Sequence, residues 1–79
     1  MIPEKLRQMA FRVISRTQDD PDLQVMGTAV ALVALTEATG TDMRSVIEIA
    51  ERRMNDLDGP FTSQIGAIRE YAKNEIGRR

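Results

Sequence analysis

The chain contains no cysteine, no histidine and no tryptophan among its 79 residues. Without cysteine no disulfide can form, and without histidine the usual zinc or copper ligand and the commonest general base are missing. One tyrosine and two phenylalanines are too few for a base-stacking platform of the kind that single-strand-binding proteins use. Eleven basic residues against twelve acidic ones leave a net charge of -1, which gives the whole chain no attraction to nucleic acid or acidic lipid.

No motif assembles the remaining polar residues into a reactive centre. The carboxylates of Asp19, Asp20 and Asp22 could attract a hard cation, but their position before a predicted helix favours a capping role. The segment Asp56-x-Asp58-Gly59 resembles part of a calcium loop, yet the flanking positions carry side chains that cannot bind the ion. The sequence therefore predicts a protein that is not an enzyme and holds neither a metal nor a cofactor.

The length allows one small domain, spanning 1–79, whose core is marginal without a partner chain. Charge enters by Glu4, which argues against a secretory signal segment, so we expect the protein in the cytoplasm. The uncharged run from Val25 to Leu35 is shorter than the ~20 apolar residues that a membrane-spanning helix needs. The sequence accordingly predicts no association with membranes.

Capping residues and prolines divide the chain into four helices with no competing strand pattern. Asp20 is a suitable N-cap, Gly40 a left-handed C-terminal stop and Thr41 a cap for the third helix. Each of the three prolines stands near the start of a predicted helix, where its missing N–H costs nothing. The predicted fold is all-α, with helices at about 3–16, 21–38, 42–57 and 60–76.

The second helix differs from the others because it is apolar on almost every side. The first, third and fourth helices each carry one apolar stripe, which predicts a compact four-helix domain wrapped around the second helix, at about 21–38. A line of small residues along this helix would let a neighbouring backbone approach closely. That neighbour is either a helix of the same chain or a second copy in a homodimer. The predicted close-packing stripe consists of Gly27, Ala31, Ala34 and Ala38.

Three apolar side chains lie off the main stripes and are candidates for a contact with another protein. Aromatic anchors with arginines at the rim are typical of protein interfaces. We therefore predict a non-enzymatic, intracellular protein-binding module, of the interaction or inhibitor type. The predicted partner-binding residues are Phe11, Ile49 and Tyr71, with Arg7, Arg52 and Arg53 nearby.

A small nucleic-acid-binding regulator is the alternative function. The third helix has the outline of a helix-turn-helix reader but carries more acidic than basic groups, which suits phosphates poorly. The first helix is the better basic element, since a basic amphipathic helix can bind nucleic acid or an acidic protein. The predicted basic face comprises Lys5, Arg12 and Arg16, with Arg78 and Arg79 at the C-terminal end.

The second half of the chain resembles short all-helical accessory proteins of unknown function that are encoded in bacteriophages and prophages. The runs that carry the resemblance are EATGTD, ERRMNDLDGPF and AIREYAKNE. The resemblance implies a small accessory protein made inside an infected bacterium, and because some such proteins bind host proteins, it favours a function directed at a host protein complex. It carries no catalytic or binding residue to a position in this chain.

Overall fold

The computed structural model describes residues 1–77, in which four α-helices are joined by short turns and no strand occurs. The all-α, four-helix prediction is confirmed, and the predicted bounds agree with the observed ones to within two residues. Arg78 and Arg79 lie outside the described residues. The helices are α1 (Pro3–Arg16), α2 (Pro21–Thr39), α3 (Met43–Asn55) and α4 (Thr62–Glu75).

Side-chain and glycine caps set the ends of α2 and the start of α3. The Asp20 carboxylate accepts a hydrogen bond of 3.0 Å from the Asp22 N–H, and Gly40 ends α2 in the left-handed conformation at φ 67°. The prediction that Thr41 caps α3 is wrong, because Asp42 does so. Its carboxylate accepts hydrogen bonds from the Ser45 N–H at 3.2 Å and the Ser45 hydroxyl at 2.6 Å.

The turn between α3 and α4 is longer than the sequence predicted. Residue 56 adopts an extended conformation that stops α3, and Pro60 lies in the turn instead of opening α4. The hydroxyl of Thr62 accepts a hydrogen bond from the Gly59 N–H at 2.9 Å and donates to the Asp56 carbonyl at 3.3 Å. These two bonds satisfy the Gly59 N–H and the Asp56 carbonyl in the turn, so they hold the turn in place.

The principal packing contact joins α1 to α4, and α3 adds a smaller contact on α4. The buried apolar core consists of Phe61 and Ile65, at 8% and 6% exposure, at the N-terminal end of α4. The rings of Phe11 and Tyr71 stack between α1 and α4 with centroids 4.4 Å apart. The predicted apolar stripe of α4 faces the other helices, since Ile65 is buried and Ile68 and Ala72 are half-buried.

The prediction that α2 is the central helix is wrong. Only four of its nineteen residues are buried or half-buried, and they form one line at four-residue spacing. The prediction followed the apolar residues, whereas three of these four inward residues are polar. The two threonine hydroxyls donate hydrogen bonds to backbone carbonyls of α2 itself, so this side can pack inward without leaving a hydroxyl unsatisfied. The inward line is Gln24, Thr28, Leu32 and Thr36.

The four helices form a slab whose Cα atoms span 33 × 31 × 18 Å. The radius of gyration of 13.0 Å exceeds the value of about 12 Å expected for a compact domain of this length. The α2 helix contacts α3 and is tied to α1 by Gln24, whose side-chain amide donates to the Ile14 carbonyl at 3.1 Å and the Thr17 hydroxyl at 2.9 Å. The side of α2 that faces away from these neighbours is left open.

Candidate protein-binding surfaces

The aromatic part of the predicted contact surface takes part in the packing of α1 on α4. Phe11 and Tyr71 are both half-buried and stack at 25° between ring planes. The Arg7 guanidinium lies 5.2 Å from the Phe11 centroid and forms an ion pair with Glu4 at 3.6 Å. Because these groups already contact one another, they are poorly placed to act as open anchors for another protein.

The α3 part of the predicted surface forms a shallow groove of about 650 Å³. Ile49 is 47% exposed in this groove, next to Arg52 and Arg53. The Arg53 guanidinium lies 3.9 Å from the centroid of the Phe61 ring, so this arginine covers the core and is half-buried. Arg52 is exposed and has no ion-pair partner within residues 1–77.

The six predicted partner-binding residues thus divide into two groups. Phe11, Arg7 and Tyr71 belong to the α1–α4 contact, whereas Ile49 lies with Arg52 and Arg53 on α3. We name the second group, with Asn55 and Asp56 at its edge, the α3 groove. It is the part of the predicted surface that remains open to a partner.

The basic face of α1 is exposed in the structure. Lys5, Arg12 and Arg16 lie within about 40° of one another at ~100° per residue, and they make no ion pair in the described part of the chain. Arg12 and Arg16 also line a groove of about 380 Å³ between α1 and α2, together with Val13, Gly27 and Ala31. The predicted contribution of the two C-terminal arginines falls outside the described residues.

The small-residue stripe of α2 does not pack against another helix of the chain. Gly27, Ala31, Ala34 and Ala38 are all exposed, and a Cβ built on Gly27 meets no atom within 4 Å. The expectation that a neighbouring helix of the same chain fills this line is therefore wrong. The physical reason is that α2 turns its Gln24–Thr36 side, and not its small residues, toward the domain.

One exposed apolar surface of α2 differs from the prediction, because the sequence pattern assigned its residues to the core. Its members share one side of α2, directly opposite the inward line, and all are exposed. The polar residues at positions 24, 28 and 36 were the signal that could have identified the inward side. We name this surface the outer face of α2; it comprises Leu23 (60% exposed), Met26 (63%), Val30 (60%) and Val33 (38%).

The acidic residues do not form a site of their own. Asp20 is occupied as the cap of α2, and the Asp19 carboxylate accepts a hydrogen bond from the Asp20 N–H at 2.7 Å. Across residues 1–77 no group of three or more acidic side chains is arranged to hold a metal ion. The hydrogen bonds from the Ser45 hydroxyl and N–H to Asp42 lower the pKa of that carboxyl below its ordinary value of 3.8, which is a capping effect.

Comparison with protein-family models, with curated proteins and with solved structures finds no match to this chain. In the described span, no helix has both the length and the apolar character needed to cross a membrane. The exposed surfaces of the domain are therefore the features that bear on its function.

Proposed function

We propose that the protein is a non-enzymatic protein-binding module that contacts its partner through the α3 groove. The observation that carries the proposal is the exposed Ile49 beside Arg52, a guanidinium with no ion-pair partner in the described chain. The resemblance to phage accessory proteins supports a protein complex of the host cytoplasm as the partner.

The chemistry of the groove specifies what it would bind. An apolar side chain at the centre and guanidiniums at the rim fit a segment that presents an apolar residue next to a carboxylate. The guanidinium of Arg52 offers five N–H donors in a planar fork, which matches a carboxylate in a bidentate arrangement. Arg53 contributes less, because its guanidinium already covers Phe61.

The test compares proteins captured from a bacterial lysate by the wild-type chain and by matched variants. Ile49→Asp and Arg52→Ala should lose the specific captured protein, because one removes the apolar anchor and the other the carboxylate fork. Arg44→Ala is the control: Arg44 is exposed on the opposite side of α3, about 140° from Ile49 at ~100° per residue.

The proposal requires that capture by Arg44→Ala equal that by the wild type. Capture that is unchanged in both Ile49→Asp and Arg52→Ala would show that the α3 groove is not the contact surface. Helical circular dichroism of each variant separates loss of binding from loss of folding, since Ile49 and Arg52 are exposed and their replacement should leave the fold intact.

A nucleic-acid-binding regulator is the second candidate, favoured by the alignment of Lys5, Arg12 and Arg16 on one side of α1. Such a face binds phosphates with an affinity that falls steeply with salt. Duplex binding measured by fluorescence anisotropy at low salt should weaken in the Arg12→Ala/Arg16→Ala chain and not in Arg44→Ala. The absence of any binding to duplex or single-stranded DNA at low salt would rule this function out.

A further inference from the structure

The outer face of α2 has the spacing of a helix-pairing seam. Leu23, Met26, Val30 and Val33 follow one another at intervals of three, four and three residues, and Glu37 continues the series four residues later. This is the alternation that aligns apolar side chains along one line where two helices pack side by side. Small residues flank the seam, at Gly27, Ala29 and Ala34, so a second helix could approach closely.

The protomer exposes more surface than its mass predicts. Its accessible area is 6135 Å², compared with about 4,800 Å² for a folded monomer of 8.9 kDa. The excess of about 1,300 Å² is larger than the ~800 Å² that each partner contributes to a stable interface of standard size. The outer face of α2 contributes apolar area to this exposed surface, since its four seam residues are 38% to 63% exposed.

Rotating α2 about its own axis, so that the seam faced the domain, would cover the seam only at the loss of existing contacts. The amide of Gln24 is bonded to the Ile14 carbonyl and to Thr17, and Thr36 is 7% exposed on the side that faces the domain. Rotating the helix would break these bonds from α2 to α1 and to the turn that follows α1. A second chain can cover the seam and leave the inward contacts as they are.

The charges at the ends of the seam favour an antiparallel partner helix. In a parallel pair with another α2, the two Glu37 carboxylates would meet in the seam itself, and the helix dipoles would repel. In an antiparallel pair with its two-fold axis near Val30, each Glu37 moves to the level of Leu23 and Met26. There Arg16 and Asp19 both line the groove beside Leu23 and Gly27, and the Arg16 guanidinium is the one of these two charged groups that attracts the Glu37 carboxylate.

We propose that two copies of the chain form a symmetric dimer in which the outer faces of their α2 helices pack in antiparallel orientation, with Glu37 of each copy close to Arg16 of the other. The occupant of the face is therefore a second copy of this chain. The proposal is independent of the α3 groove, which lies on a different helix.

The oligomeric state of the full chain tests the proposal directly. Sedimentation equilibrium over a range of protein concentrations should give the mass of a dimer. Val30→Glu should weaken dimerisation by about a hundredfold, because two valines leave the interface and two carboxylates face each other at the axis. Ile49→Glu, an exposed position on α3, is the matched control and should remain dimeric.

A charge exchange tests the position of Glu37. Arg16→Glu and Glu37→Arg should each weaken the dimer, and the double variant Arg16→Glu/Glu37→Arg should recover the affinity of the wild type. Failure of the double variant to recover affinity would contradict the placement of these two residues.

The absence of cysteine makes cross-linking a clean test of orientation. Under mild oxidation, Val30→Cys should form a disulfide across the two-fold axis. Leu23→Cys should not, because in the antiparallel pair the two residues lie about 21 Å apart at 1.5 Å per residue, far beyond disulfide reach. Efficient cross-linking of Leu23→Cys would refute the antiparallel orientation, and a monomer mass at all concentrations for a helical wild-type chain would refute the dimer.

Discussion

Replacing Gly66 with alanine is expected to stabilise the protein. Gly66 lies inside α4, is exposed, and has no atom within 4 Å of the position that a Cβ would occupy. Glycine in a helix interior is less favourable than alanine by about 1 kcal/mol, because more backbone freedom is lost on folding. The structure offers no steric penalty to offset this gain, so the whole difference should be measurable.

The expected gain corresponds to a rise in Tm of about 4–8 °C for a domain of this size. Urea unfolding followed by far-UV circular dichroism, at one fixed protein concentration, should show a higher midpoint with an unchanged slope. Gly40→Ala is the matched control with the opposite sign. Gly40 has φ 67°, where an L-residue costs about 1–2 kcal/mol, so the same chemical change should lower the midpoint.

A neutral or destabilising Gly66→Ala, accompanied by the expected loss in Gly40→Ala, would refute this reasoning. It would mean that another group contacts Gly66 closely, since the backbone of α4 alone favours alanine there. A change in the slope instead of the midpoint would indicate an effect on the unfolded chain.

Three further experiments test the packing and capping of the domain. Ile65→Ala should lower the free energy of unfolding by about 2–5 kcal/mol, because it opens a cavity in a small core, and thermal unfolding checks it. Changing Phe11 and Tyr71 to alanine singly and together should give a coupling of about 0.5–1.5 kcal/mol in a double-mutant cycle; additive effects would contradict the stacking. The stability from the lowered pKa of Asp42 is fully present above pH 3.8 and is lost as pH falls through the lowered value. Asp42→Ala should therefore reduce the loss of stability on acidification. The measurement compares the urea midpoint at neutral pH with the midpoint below pH 3.8, in the wild type and in the variant. An equal fall of the midpoint in both would contradict the role of Asp42.

The features that the sequence predicted correctly are those that local chemistry determines. Asp20 can cap α2 and Gly40 can end it whatever the rest of the chain does, because the cap bonds join residues close in sequence. The α4 helix similarly has one apolar side, and burial of that side alone lowers the free energy of the folded chain. Phe61 and Ile65 follow from that pattern.

The orientation of α2 could not be predicted in the same way. Its apolar residues are spread around the helix, so hydrophobic periodicity does not distinguish an inward side from an outward one. The structure resolves the choice through polar groups, because the Gln24 amide reaches the Ile14 carbonyl and the Thr17 hydroxyl. Those partners lie on α1 and in the turn after it, and their distances become known only once the helices are assembled.

The packing of one helix on another, which the sequence does not show, also explains why the six predicted partner-binding residues divide into two groups. Exposure was inferred for Phe11, Ile49 and Tyr71 because each lies off the main stripe of its own helix. An aromatic ring off the stripe can still be covered by another ring off the stripe of an adjacent helix, as Phe11 and Tyr71 are. Ile49 has no such counterpart and remains 47% exposed.

The two proposals assign separate roles to helices of one small domain, and this makes them separable by experiment. A seam on α2 that binds a second copy would add buried apolar area to a fold whose core is formed mainly by Phe61 and Ile65. A dimer-breaking change such as Val30→Glu should therefore make the chain less stable, yet leave the α3 groove in place on each protomer that is still folded. If capture through Ile49 and Arg52 is lost together with the dimer while helicity persists, the partner must contact both copies, and the α3 groove alone is not the binding site.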